Sequence, residues 1–130
     1  AVFEREADLE GDDYRHRLLI IDTSDGVSRT IAEAGGIILR RTPYGFHGAP
    51  ANRVPAWSPN AQSIAYLVMR DGRIELWRAF PDPSHSPQSV VTGPGDVLGY
   101  AWLDDETLIV EMTGDRERLA AEISRQRRLG

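Results

Sequence analysis

One short pattern occurs twice in the chain and limits what the chain can fold into. The first copy reads PAWSPNAQSIAY and the second reads YAWLDDETLIV, and Trp102 follows Trp57 by 45 positions. In each copy an apolar strand is followed by a tight polar turn and then by a strand rich in β-branched residues. A pattern that returns every 40 to 45 residues predicts that one supersecondary unit is built more than once.

The first copy continues into a hairpin and a fourth strand. Residues 63–69 have the composition of a buried strand, and residues 74–80 alternate between apolar and polar side chains. Asp71 and Gly72 separate these runs, and this pair tolerates the positive φ angles of a two-residue hairpin turn. After a loop rich in proline and serine, residues 88–92 read as a strand. Four antiparallel strands are therefore expected between about residues 53 and 92.

Incomplete versions of the same unit lie on both sides. Further strands are predicted at residues 1–5, 17–22, 27–32, 97–102 and 107–112, and the first hairpin has a long acidic tip, EADLEGDDY. The predicted fold is all-β, a partial β-propeller made of four-stranded antiparallel blades. It divides into a partial blade (1–34), a full blade with a long connector (35–95), and a partial blade followed by a short helix (96–130).

The helix is predicted from residue 115 onward, in the segment DRERLAAEISRQRRLG. Asp115 suits the N-cap position, and arginines occupy the last turn. Leu119 and Ile123 share one face, so the apolar stripe is narrow. A basic helix of this kind can bind an anionic membrane or nucleic acid, but two glutamates interrupt its positive charge and its apolar stripe is short. We favour a helix inserted where a propeller strand would otherwise lie.

The blade segment AWSPNAQSIAYLVMRDGRIELWRA resembles a known signature, W-S-P-D-G-x-x-I-A-[FY]. That signature is found in TolB-like propellers and in the propeller domain of prolyl oligopeptidase-family serine peptidases, and the resemblance covers residues 1 to about 113. A blade that is interrupted by a helix with the motif R-x-x-L-A-A-x-I is similar to the propeller of lasso-peptide isopeptidases, a branch of the prolyl oligopeptidase family. One departure is Asn60-Ala61 in place of Asp-Gly, so the turn must form without glycine at a conformational cost.

The resemblance implies a function for the chain. It implies a non-catalytic propeller segment that gates or binds a peptide substrate for a C-terminal α/β-hydrolase domain absent from these 130 residues. The implied partners are the peptide substrate, the remaining blades and that hydrolase domain, and the start of the gene product is also expected to be missing. The alternative is a TolB-like scaffold for protein–protein interaction.

The residues themselves indicate no catalytic centre and no cofactor. A Gly-x-Ser-x-Gly elbow is absent, and His16, His47 and His85 lack the spacing of a metal site. The chain has no cysteine, which excludes disulfides and thiolate ligands. Ser84 and His85 are neighbours in a loop, an arrangement that rarely makes a catalytic pair. The run of acidic residues at 104–106 is typical of a hairpin turn, with calcium binding as the alternative.

Composition limits the remaining classes of function. A net charge of −5 argues against nucleic-acid binding, and the apolar runs are too short to span a membrane. All 15 basic residues are arginine, which indicates either anion recognition or codon bias. The compartment, bacterial periplasm or cytoplasm, stays open.

A long connector supplies the candidate site. Residues 37–53 exceed the usual 4 to 6 residues of a connection, and long loops often carry function. The predicted substrate-binding residues combine cationic and aromatic groups: Arg40, Arg41, Tyr44, Phe46 and His47. A simple crossover between blades is the alternative. For the repeated Trp57 and Trp102 we expect a place in the core between blades rather than on a carbohydrate-binding surface.

Overall fold

The computed structural model describes residues 1–11, 13–42, 45–50, 54–91, 94–114 and 124–128, with backbone alone for residues 40–50. Its strands are β1 (Val2–Asp8), β2 (Asp13–Ile21), β3 (Ser28–Glu33), β4 (Leu39–Thr42), β5 (Gly45–Pro50), β6 (Ala56–Trp57), β7 (Ile64–Arg70), β8 (Arg73–Ala79), β9 (Gln88–Ser89), β10 (Val97–Trp102) and β11 (Leu108–Met112). Residues 124–128 are helical. The prediction of an all-β chain with a short helix near its end is confirmed for these residues.

The strands form four sheets. The N-terminal sheet has the order β1-β2-β3, the central sheet β6-β7-β8-β9 and the C-terminal sheet β10-β11, while β4 pairs with β5 alone. All pairings between named strands are antiparallel. The central sheet therefore contains the four strands expected between residues 53 and 92, in sequence order.

The hairpin of β7 and β8 is the longest continuous pairing of the central sheet. Its register runs from Ile64↔Ala79 to Arg70↔Arg73, which leaves a loop of two residues. Both loop residues have positive φ, 50° at Asp71 and 72° at Gly72. This is the geometry that matches the twist of the flanking strands, so the predicted Asp-Gly turn is confirmed.

The central sheet packs on both of its faces. Side chains of β7 alternate, so that Ile64, Tyr66 and Val68 pack in one cluster with Leu18 of the N-terminal sheet. Ala65 belongs to a second cluster, which includes Val97 of the C-terminal sheet. Because successive side chains of a strand point to opposite faces, one strand contributes to both cores. The central sheet thus lies between the N-terminal and C-terminal sheets.

The acidic tip of the first hairpin is shorter than predicted. β1 extends to Asp8 and β2 starts at Asp13, so most of the expected tip is paired strand. Opposite charges across the two strands explain the extension, because Arg15 Nε lies 3.0 Å from Asp8 Oδ2. Arg17 pairs in the same way with Glu4 at 3.3 Å. Cross-strand pairs of opposite charge contribute to the stability of a sheet.

The connector also differs from a simple crossover. Within residues 37–53, strands β4 and β5 form a hairpin in which Arg41 pairs with Phe46 and Thr42 with Gly45.

The predicted helix is described only over residues 124–128, and its predicted start at residue 115 and its apolar stripe lie outside the described residues.

The two repeated tryptophans are not equivalent. Trp102 is partly buried against the second core cluster, as predicted, but 39% of Trp57 is exposed and it belongs to neither cluster. The expectation that Trp57 fills a core is therefore wrong for the described residues. β6 has only two residues, so Trp57 lies at the end of a short edge strand. Trp77 of β8 packs against the first cluster instead.

Candidate functional site

The predicted substrate-binding residues lie on the β4–β5 hairpin. Arg40 and Arg41 belong to β4, and Phe46 and His47 belong to β5. Tyr44 falls outside the described residues. Because Arg41 and Phe46 are register partners, the backbone places a cationic and an aromatic residue opposite each other on adjacent strands. Whether these side chains bind a peptide remains a prediction.

The hairpin follows directly from the junction between the N-terminal and central sheets. Gly35, between β3 and β4, forms an isolated parallel bridge with Met69. Its φ is +69°, and a Cβ added at Gly35 would lie 2.0 Å from the Met69 carbonyl oxygen. Only glycine fits so close an approach of two backbones. The β4–β5 hairpin therefore starts from a position held against the end of β7.

Ser84 and His85 gain a third neighbour in the structure, but not a catalytic arrangement. Ser84 Oγ lies 3.1 Å from His85 Nδ1, and Asp82 Oδ2 lies 3.5 Å from the same nitrogen. A catalytic triad requires the serine and the carboxylate on different ring nitrogens, so that a proton can pass through the imidazole. Here Ser84 and Asp82 both lie near the same ring nitrogen, Nδ1 of His85. The pKa of Asp82 is lowered, first by the hydrogen bond from the Ser84 backbone N–H.

The acidic run at residues 104–106 serves three separate contacts. Asp104 Oδ1 accepts a hydrogen bond from the Glu106 backbone N–H at 2.9 Å, and Asp105 Oδ1 accepts one from Asn60 N at 2.8 Å. Glu106 lies 3.5 Å from the Arg78 guanidinium. The described part of the chain holds no group of three or more His, Cys, Asp or Glu residues that could bind a metal. The arrangement fits the hairpin-turn interpretation.

A cavity lies between the central and C-terminal sheets. It has a volume of about 620 Å³ and is lined by Arg78, Phe80, His85 and Glu106, among others. The guanidinium of Arg78 lies 5.1 Å from the centre of the Phe80 ring and 5.7 Å from that of Trp102. The cation–π contact between Arg78 and Trp102 joins the central sheet to the C-terminal sheet. Sequence reasoning missed this cluster because its members come from three distant segments.

A membrane-spanning helix is not found in the described ranges, where no helix combines the necessary length and apolar character.

Comparisons with known proteins identify relatives of the chain. No family model matches it. The lasso peptide isopeptidase AtxE2 of Asticcacaulis excentricus is 31% identical over 120 residues, which cover 86% of this chain and 17% of that protein. The AtxE2 isopeptidase variant with Astexin3-dC4 bound superimposes with a TM-score of 0.83 at 26% identity, over 97% of this chain and 20% of the other. The apo AtxE2 isopeptidase gives a TM-score of 0.78 over the same shares.

The chain thus spans about a fifth of the length of the proteins it matches. Agreement in sequence and in fold over nearly all of the chain confirms the resemblance inferred from its residues. The chain is related to the lasso peptide isopeptidases, members of the prolyl oligopeptidase family.

Proposed function

We propose that the chain is a segment of the β-propeller domain of a lasso peptide isopeptidase. Its N-terminal, central and C-terminal sheets would be successive blades, with bounds near residues 1–34, 35–95 and 96–130. The observation that carries the proposal is the superposition with peptide-bound AtxE2 over 97% of the chain. The packing of the central sheet on both faces supports it, because neighbouring blades of a propeller pack face to face.

In this proposal the chain binds or gates the peptide and leaves bond cleavage to a hydrolase domain elsewhere in the polypeptide. The β4–β5 hairpin is the element that contacts the peptide. Arg40 and Arg41 offer guanidinium groups that suit peptide carboxylates and carbonyl oxygens, while Tyr44, Phe46 and His47 offer rings. The pairing of Arg41 with Phe46 supports a joint role for the two strands.

The test uses the full-length protein and a threaded lasso peptide. In the double variant Arg40→Ala/Arg41→Ala, we expect KM for isopeptide cleavage to rise about tenfold while kcat changes little, because binding is lost and the hydrolase machinery is untouched. A matched control is Arg125→Ala, in the exposed helical segment 124–128, which should leave KM unchanged.

The proposal fails if the double variant cleaves the lasso peptide with unchanged KM and kcat. A fall of kcat alone would also contradict it, since that result would assign the hairpin to the chemical step. Far-UV circular dichroism of each variant checks that the loss of binding does not come from unfolding.

A further inference from the structure

The cavity between the central and C-terminal sheets, which we call the Arg78 cavity, is separate from the β4–β5 hairpin. Phe80 lines it and follows directly on Ala79, which pairs with Ile64 at the start of β7. The β4–β5 hairpin starts beside Met69, at the other end of β7. The volume of the cavity, about 620 Å³, is within the range of small-molecule sites.

Aromatic rings rather than hydrogen bonds hold the guanidinium of Arg78 in place. Its carbon lies 5.1 Å from the centre of the Phe80 ring and 5.7 Å from that of Trp102. Within the described residues its nitrogens form no hydrogen bond, and Nε alone of the three is buried. Nη1 and Nη2 are therefore accessible, on a side chain that lines the cavity. A guanidinium is a planar fork of N–H donors that matches a carboxylate.

The carboxylate that faces this guanidinium is held loosely. Glu106 Oε2 lies 3.5 Å from Arg78 Nη1, whereas a charge-assisted hydrogen bond measures about 2.7 to 2.9 Å. The Glu106 side chain is 77% exposed, and ion pairs in such positions contribute little to stability. Glu106 can therefore turn into solvent and leave Arg78 to a ligand.

The second carboxylate of the cavity is already engaged. Asp82 Oδ1 accepts a hydrogen bond from Ser84 N at 2.9 Å, and Asp82 Oδ2 lies 3.5 Å from His85 Nδ1. These contacts and the surrounding water reduce the repulsion between Asp82 and a bound anion. A cationic ligand would instead meet the guanidinium of Arg78, which is confined between two rings. The cavity therefore favours an anion over a cation.

We propose that the Arg78 cavity binds a carboxylate, which displaces Glu106 and accepts hydrogen bonds from Arg78 Nη1 and Nη2. An apolar body next to the carboxylate packs on Phe80 and Pro81. The carboxylate is either the C-terminus of a peptide or part of a small organic acid. The site uses no residue of the β4–β5 hairpin, so its test is independent of the function proposed above.

The experiment titrates the full-length protein with benzoate and with benzamide, which has the same ring but no charge. The protein is labelled with 5-fluorotryptophan, and binding is followed by fluorine NMR through the resonance of Trp102, assigned with Trp102→Phe. We expect benzoate to shift this resonance. Benzamide should bind about tenfold more weakly, because hydrogen bonds to an ionised acceptor are about twice as strong as neutral ones.

Two substitutions should change benzoate binding in opposite directions. Arg78→Gln should weaken it about tenfold, the factor of a hydrogen bond to a charged group. Its control is Arg73→Gln, at an exposed arginine of the same strand, which should bind like the wild type. Glu106→Gln should strengthen benzoate binding about twofold, because a competing charge in an exposed position is removed. Its control is Glu111→Gln, at an exposed glutamate of β11.

A further probe distinguishes the two sources of the carboxylate. N-acetylphenylalanine carries a peptide group beside its carboxylate, so tighter binding than benzoate would assign the site to a peptide C-terminus. Weaker binding would assign it to a small organic acid.

The proposal is overturned if benzoate leaves the Trp102 resonance unchanged or binds no more tightly than benzamide. It is also overturned if Glu106→Gln weakens benzoate binding, the result expected of an ion pair with a structural role alone. Because Glu106 is exposed, this variant keeps the test decisive even if circular dichroism shows that Arg78→Gln does not fold.

Discussion

The two faces of the central sheet are held to their neighbours by different forces. The face toward the N-terminal sheet is mainly apolar: Leu18, Ala34 and Ile64 are 0% exposed, and Ala32 and Val68 nearly so. The cluster on the other face has three buried residues, Ala65, Leu76 and Val97. Removal of apolar surface from water therefore dominates the first interface more than the second.

Hydrogen bonds from aromatic side chains characterise the second interface. Tyr100 Oη lies within hydrogen-bond distance of the carbonyl oxygens of Ala65 (2.9 Å) and Val54 (3.0 Å). Trp102 Nε1 donates to Ala56 O at 2.9 Å, and the buried carboxylate of Asp96 accepts from Ile74 N at 3.0 Å. Such bonds are directional, so they set the position of β10 on the central sheet as well as its stability.

The difference teaches that repeated sheets of one chain need not repeat their interfaces. Burial tolerates small shifts between sheets, whereas hydrogen bonds between side chain and backbone require one register. Substitutions should therefore act differently on the two sides.

The largest effect is expected for Leu18→Ala at the first interface. Leu18 is fully buried, so its loss leaves a cavity in addition to the lost transfer free energy, and the free energy of unfolding should fall by about 3 kcal/mol. Denaturant unfolding of the full-length protein measures the change. Leu9→Ala, at a residue that is 93% exposed, is the control and should change stability by less than about 0.5 kcal/mol. Equal effects of the two would show that burial does not dominate this face.

A smaller loss is expected for Tyr100→Phe at the second interface. The change removes one hydroxyl donor and leaves the ring in place, so the free energy of unfolding should fall by about 1 to 2 kcal/mol. Amide exchange should rise in β10 and β11 and stay unchanged in the N-terminal sheet. The matched substitution Tyr14→Phe, on an exposed tyrosine, should leave exchange unchanged in both places. Uniform destabilisation of all sheets would contradict separate interfaces.

A gain in stability is expected at the turn before β7, which contacts the C-terminal sheet through Asn60. Ala61 has a φ of 58°, in the left-handed region that costs a residue with a Cβ about 1 kcal/mol. Ala61→Gly should therefore raise the free energy of unfolding by about 0.5 to 1 kcal/mol. The same substitution at Ala7, in β1, should lower it by a similar amount. Thermal unfolding of both variants measures whether each free energy of unfolding rises or falls. A lower stability of Ala61→Gly would contradict backbone strain at Ala61.

The smallest effect is a pH dependence of the turn between β10 and β11. The pKa of Asp104 is lowered below 3.8, first by the hydrogen bond from the Glu106 backbone N–H. The turn is therefore stabilised by this carboxylate above pH 3.8, and the contribution is lost as the pH falls through the lowered pKa. The protection of the Glu106 amide, which is its exchange rate by NMR relative to the intrinsic rate at the same pH, should decrease between pH 5 and pH 2. Asp104→Asn should abolish this pH dependence, and its persistence would assign it to another group.

Local signals predicted most of the strands correctly. The Asp71-Gly72 pair specifies a two-residue turn from its own backbone preferences, and alternation in β7 and β8 follows from packing on both faces. The strained turn at Ala61 was also predicted, because alanine stands there in place of the usual glycine. Each of these features depends on residues close together in sequence, so a single sequence contains the whole cause.

Features that depend on distant segments were not accessible in this way. Trp57 and Trp102 stand in the same local pattern, but only Trp102 packs on a core cluster. The β4–β5 hairpin was not predicted within the connector at residues 37–53. Long connectors and short hairpins share the same glycine-rich composition, so composition could not distinguish them. Tyr66 was predicted as an ordinary buried strand residue, and nothing in its neighbours indicates a hydroxyl without a partner.

The sequence by itself determined the strands, the tight turns and the relationship to lasso peptide isopeptidases, because these follow from local preferences and from a repeated motif. The tertiary structure alone decided which face of each strand became a core, where polar side chains found partners and where cavities formed between the sheets. The physical reason is that burial and hydrogen bonding depend on what a distant segment places opposite a residue, as Leu18 does for Tyr66 and Asp105 for Asn60.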